Sequence, residues 1–178
     1  FGNIIEEYKH LTIQPTVEII HSEVFIPIKI NYAEMIDEMI SNKSRNILIS
    51  GLVLGEMLLG RKVLVLCKRI EHYKAIRQLL PNGDVILTAD SDDKTLAQKL
   101  ASLQRNEMDF SCILGTFSLL GAGFNIEKLD TLIIAGDLKS SVLTTQSAGR
   151  ILRLLKDKTA KIIDIFDNKN AIFRQQGY

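Results

Sequence analysis

The 178-residue sequence contains no tryptophan, two cysteines, three histidines and three prolines. The histidines (His10, His21, His72) are scattered and there is no CxxC pair or Cys/His cluster, so no metal site is expected. Cys67 and Cys112 each adjoin an apolar run, the setting of reduced core thiols. No run approaches the roughly 18 apolar residues of a membrane span, and no charged-then-apolar leader opens the chain. The expectation is an intracellular, cytoplasmic protein with no membrane partner. Two glycine signatures are also missing. No GxxxxGK[ST] occurs, so the chain has no phosphate-cradling loop of its own, and Gly121-Ala122-Gly123 supplies only the first half of a GxGxxG, far from the first strand. The chain starts at Phe1 without a methionine, so it is expected to be cut from something longer.

With 46% hydrophobic and 24% charged residues, the composition is that of an ordinary globular protein of about one domain. A net charge of +1 gives no global nucleic-acid signature. The distribution says more: Arg150, Arg153, Lys156, Lys158 and Lys161 face Asp157 alone, and a local basic patch on a neutral domain suits a phosphate site.

Short apolar runs alternate with helical stretches. Lys62 to Cys67, Asp84 to Ala89, Ser111 to Thr116, Asp130 to Gly136 and Ala160 to Phe166 read as strands buried on both faces. Between them, Tyr32, Met35, Ile36, Met39 and Ile40 form one helical stripe, Ile47 to Leu59 a more apolar helix, and Tyr73, Ile76, Leu79 and Leu80 a third stripe. Lys94 to Leu103 makes a fourth, with Ser91 or Asp92 placed to cap it. Strands joined through helices require crossovers, which give an open parallel sheet with helices on both faces. Residues 1–30 read as a linker or edge element, 31–167 as the α/β domain and 168–178 as a C-terminal arm.

In such a domain ligands sit outside the carboxyl ends of the strands. Three loops qualify: Lys68-Arg69, the stretch after Thr116, and the stretch after Gly136 that reaches Gln146, Gly149, Arg150 and Arg153. These last four fall at i, i+3, i+4 and i+7 on one helical face. A solvent-facing glycine costs about 1 kcal/mol against alanine within a helix, so Gly149 beside two arginines suggests a close approach to the backbone there. Guanidinium groups match phosphates in a two-pronged way that lysine cannot.

The order Thr116, "GAGFNIEKLDTLI", then "QSAGRILR" resembles motifs V and VI of superfamily 2 helicases, and "KVLVLCKRIEHYKAIRQLL" resembles motif IV and its helix. "IIDIFDNKNAIFRQQGY" is similar to the final strand and arm of the restriction-enzyme-like and viral branch. The resemblance implies a RecA-like C-terminal domain, P-loop NTPase-like but without a Walker loop, from an ATP-dependent DNA helicase or translocase. It implies Arg153 as an arginine finger, Arg150 as a second phosphate contact, and Gln146, Gly149, Gly123 and Asn125 on the nucleotide side. It also implies Lys68, Arg69, Thr116 and Ser118 on the nucleic acid, with double-stranded DNA favoured. ATP would be held, with Mg2+, mainly by an N-terminal RecA-like domain of the same protein, so this chain alone would be inactive. Asn125 replaces the usual motif V aspartate, and Glu127 its proline. Two rival readings are a helicase-fold interaction module without catalysis and a Rossmann-type nucleotide-binding domain. The latter requires a glycine-rich loop after the first strand, and none is there.

Overall fold

The computed structural model describes residues 15–29, 31–82, 85–87, 93–118, 126–136 and 160–172. The elements run β1 (Thr16–His21), α1 (Tyr32–Ser41), α2 (Lys43–Leu58), β2 (Val63–Cys67), α3 (Ile70–Arg77), β3 (Val85–Leu87), α4 (Asp93–Gln104), β4 (Cys112–Thr116), β5 (Thr131–Ile134) and β6 (Lys161–Phe166). The strands form one sheet in the order β1-β6-β5-β2-β4-β3, and every neighbouring pair is parallel. This is the open parallel sheet expected from the alternation.

Strand periodicity divides the core. Val63, Val65 and Cys67 of β2, with Ile133, Ile163 and Ile165, point to one face, where Ile49 and Val53 of α2 and Tyr73 and Ile76 of α3 cover them. Leu64 and Leu66, with Ile113, Leu132 and Ile162, point to the other, against Leu103 of α4, Phe110, Ile126 and Leu129. Connections that travel toward the β3 edge (β1 to β2, β2 to β3) lay α2 and α3 on the first face. Those that return (β3 to β4, β4 to β5) lie on the second, as crossovers of a single hand require. Both cysteines are buried and free. Among the described residues no helix is long and apolar enough to cross a membrane.

Local chemistry sets the helix ends. Asn31 caps α1 by accepting from the Ala33 N–H at 2.9 Å, and Asn42 ends α1 and caps α2 by accepting from the Arg45 N–H at 3.1 Å. That cap explains why α2 starts before the apolar stripe expected from Ile47: its first turn is polar, yet it is helical. At the other end Gly60, at φ 75°, lets its own N–H reach Met57 O and the Arg61 N–H reach Glu56 O, a Schellman closure. Among the described residues, Leu79 departs from the expected stripe. Leu79 lies beyond the end of α3 at Arg77, where helical spacing no longer applies, and is 44% exposed rather than part of the stripe.

The ends of the domain are stitched in. Of the opening segment, Thr16–His21 form β1, which pairs along its length with β6, and Lys161 bridges Glu18 of β1 and Glu56 of α2 at 2.9 and 2.7 Å. After β6, buried Asn170 donates to Ile26 O and accepts from the Ile172 N–H, both at 2.9 Å, beside the cluster of Ile26, Met35, Ile36, Met39 and Ile40. Asn170→Ala leaves the Ile26 carbonyl without this donor and is expected to cost about 1–3 kcal/mol in a urea titration. An unchanged unfolding midpoint would show that the clip contributes nothing.

Candidate nucleic-acid interface

β2 and β4 are neighbours in register Cys67↔Thr116, yet the chain leaves β2 for α3 on one face and leaves β4 for Ile126 and Leu129 on the other. Neighbouring strands whose exits diverge leave a crevice at their carboxyl ends, the usual ligand position in open α/β sheets. The four sequence-predicted nucleic-acid residues that lie beside it are Lys68 and Arg69 after β2, and Thr116 and Ser118 at the end of β4. The Thr116 and Ser118 hydroxyls are 2.7 Å apart. Gly136, just beyond β5, closes the third side: a Cβ there would stand 3.0 Å from Lys68 N and 3.1 Å from the Phe117 ring. The backbone exits of three strands therefore converge at one point.

Both cations have partners on α1. Arg69 is the N-cap of α3 and makes no side-chain capping bond; its Nη1 donates to Asp37 of α1 instead. The Lys68 ammonium donates to the Tyr32 hydroxyl at 2.6 Å and lies 4.6 Å from the centroid of that ring. Both partners come from α1, which sequence periodicity describes only by its apolar stripe.

Beneath this edge lies a buried polar cluster that sequence reading missed. Arg45 of α2 is fully buried. Its Nε and Nη2 donate to Asp167, just after β6, at 2.9 Å each, and its Nη1 donates to Ala135 O at 2.8 Å. Next to it, Asn46 Nδ2 donates to Ile40 O at 2.8 Å, which turns Asn46 Oδ1 toward His72 Nε2 at 3.2 Å. Arg45 Nη1 stands 3.4 Å from the same Nε2, which donates to Asn46 or accepts from the guanidinium according to its tautomer, and Nδ1 is buried without a partner among the described residues. Burial, with the Arg45 guanidinium adding to it, lowers the His72 pKa to about 3. The ring is therefore neutral. Burial alone raises the Cys67 thiol far above its ordinary range, so this cysteine is no nucleophile. An aspartate directly after an apolar strand was the one available signal for the cluster; Arg45 carried none, because it precedes the apolar part of its helix.

Gln146, Gly149, Arg150 and Arg153, with Gly123 and Asn125, lie outside the described residues, as do Ser91 and Asp92. The described part of the edge supplies cations and hydroxyls and no glycine-rich phosphate loop.

The fold defines a class: an all-parallel RecA-like α/β domain, open at the carboxyl edge between diverging strands. No family model matches the sequence. Curated proteins do. The chain is 30% identical to the putative helicase 161L of Invertebrate iridescent virus 6 over 81% of its length and 34% of that protein. It is 24% identical to the ATP-dependent DNA helicase uvsW of Enterobacteria phage T4 over 77% of its length and 28% of that protein. It is also 38% identical to the uncharacterized protein 108L of Invertebrate iridescent virus 3, over 43% of its length and 69% of that protein. Among solved structures, T4 UvsW superposes with a TM-score of 0.69 at 19% identity, over 85% of this chain and 32% of that one. The C-terminal part of the Fun30 ATPase domain gives 0.62 at 14% identity, over 79% and 46%. The chain has the RecA-like fold of these helicase and ATPase domains and is similar in sequence to proteins named as helicases. It spans about a third of the length of the two helicases it matches in sequence.

The His72 site makes stability depend on pH. Its folded pKa is depressed, so the unfolded chain takes up a proton first, and stability present above the ordinary value of 6.5 is lost as pH falls toward about 3. The slope attributable to this ring is about 1.4 kcal/mol per pH unit within that window. His72→Phe is expected to start less stable, because the buried Asn46 and Arg45 lose a polar neighbour, and to lack this share of the slope in chemical denaturation between about pH 4 and 6. An identical slope in both proteins would remove His72 as its source.

Proposed function

We propose that this domain is the C-terminal half of the motor of an ATP-dependent superfamily 2 DNA helicase or translocase, facing an N-terminal RecA-like domain of the same protein across a nucleotide cleft. The observation that carries the reading is the meeting of Lys68, Arg69, Thr116 and Ser118 at the crevice between β2 and β4, in a chain whose relatives include proteins named as helicases. Cations and hydroxyls there contact phosphate oxygens without reading bases, as movement along any sequence demands. Double-stranded DNA is the track the resemblance favours.

On the nucleotide side, Arg153 is the arginine finger and Arg150 a second phosphate contact; Gln146 shares their face, and Gly149 permits close packing at the cleft. Gly123 and Asn125 line the same cleft, where Asn125 keeps hydrogen bonding but not the charge of an aspartate. ATP, with Mg2+ held by the N-terminal domain, supplies the phosphoryl group whose transfer to water drives movement. A guanidinium donated across a domain interface stabilises the charge that develops in that transfer, an effect of about 10³ to 10⁵ in rate.

In the complete enzyme, Arg153→Lys is expected to abolish most ATPase activity while ATP affinity and thermal stability barely change, since an ammonium cannot reproduce the planar fork. The 178-residue chain alone is expected to show no DNA-stimulated ATPase. Near-normal turnover in the variant removes Arg153 from catalysis, and robust turnover by the isolated chain overturns the half-motor reading.

A further inference from the structure

Helix α1 has the sequence YAEMIDEMIS, with three carboxylates (Glu34, Asp37, Glu38) and no cation. Glu38 pairs with Lys29 at 3.2 Å, close to its own helix. Asp37 instead reaches across to Arg69 at the start of α3, and Tyr32 at the head of α1 holds Lys68. One acidic helix thus occupies both cations of the β2–α3 turn.

We propose that α1 restrains the nucleic-acid contact, with Asp37 serving as a built-in counter-ion of Arg69 that a backbone phosphate must displace. The proposal rests on the reading of Lys68 and Arg69 as nucleic-acid contacts. Three features support it. A guanidinium at a helix N-terminus is opposed by the helix dipole, so Arg69 needs a nearby anion, and Asp37 provides one. The side chains are 38% and 58% exposed, so the pair is solvated and can be exchanged without uncovering a buried charge. A phosphate presents the same oxygen acceptors to the guanidinium fork as a carboxylate does, so one replaces the other with no change in the kind of bond. Free Arg69 is thereby parked on α1, and bound Arg69 turns to the track. The tyrosine differs in kind: it holds Lys68 by a neutral hydroxyl and a ring face, which position the ammonium without cancelling its charge.

The test is the affinity of the 178-residue chain for a short fluorescein-labelled DNA duplex at low salt, read by anisotropy. Asp37→Asn is expected to tighten binding about two- to five-fold, the range of an exposed ion pair. In an Arg69→Ala background the same substitution is expected to do nothing, because the arginine it restrains is gone. Glu38→Gln on the same helix removes an equal charge from a different pair and is expected to have the smaller effect. If Arg69→Ala weakens binding but Asp37→Asn leaves it unchanged, or if Glu38→Gln tightens it equally, the restraint is overturned and the nucleic-acid reading stands. If neither Lys68→Ala nor Arg69→Ala changes the affinity, the nucleic-acid surface itself is misplaced and the restraint falls with it.

Discussion

The arrangement of the carboxyl edge depends on one buried ion pair, Arg45 with Asp167. Its partners come from widely separated parts of the sequence: α2, the turn after β6, and the carbonyl of Ala135 beyond β5. Burying two charges is costly, and their mutual attraction repays that cost only when every donor and acceptor is met. Here Nε, Nη1 and Nη2 of Arg45 all donate, so the requirement is satisfied when α2, β5 and the end of β6 stand in this one relation. Removing one partner of such a pair typically costs about 3–5 kcal/mol, since the other is left charged in the core. The pair therefore fixes geometry more than it adds net stability.

What it fixes is the floor of the candidate interface. His72 stands three residues after Arg69 on α3 and hydrogen-bonds Asn46, the neighbour of Arg45 on α2. The start of α3 is thus tied to the same cluster from below, while Tyr32 and Asp37 of α1 hold Lys68 and Arg69 from the side. Gly136 completes the constraint. A side chain there would press on Lys68 N, so the absence of a Cβ lets the exits of β2, β4 and β5 converge.

Most of this fold was legible because parallel strands buried on both faces are largely apolar, as "VLVLC", "CILGT" and "TLII" are. The first edge strand was legible only as a vague edge element: its side chains are mostly exposed, so nothing in "TVEIIH" demands burial, and pairing with β6 is a matter of backbone. Candidate site residues divide along a similar line. Lys68, Arg69, Thr116 and Ser118 were legible as residues at the carboxyl ends of strands, and the role proposed for them comes from a family resemblance. Arg45 and Asp167 were not, because a charged residue before an apolar helix and another after a strand look like solvated punctuation. Only the tertiary structure places them together. For the same reason, Asp37, which α1 offers to Arg69, could not be read from a stripe that describes only its apolar side.

Two arginine–aspartate pairs in this small domain show how burial sets what an ion pair can do. Arg45 and Asp167 are 0% and 3% exposed and cannot separate without stranding a charge. Arg69 and Asp37, with identical chemistry, meet in solvent, where such a pair is worth about 0–1 kcal/mol and its members can change partners readily. A motor domain of the proposed kind needs both properties. The track must be released at each step, so the contacts on it have to be weak and replaceable, while the scaffold that aims them has to hold its shape as they come and go. The sheet edge carries both kinds of pair with the same two residue types, one beneath α3 and the other in solvent at its N-terminus.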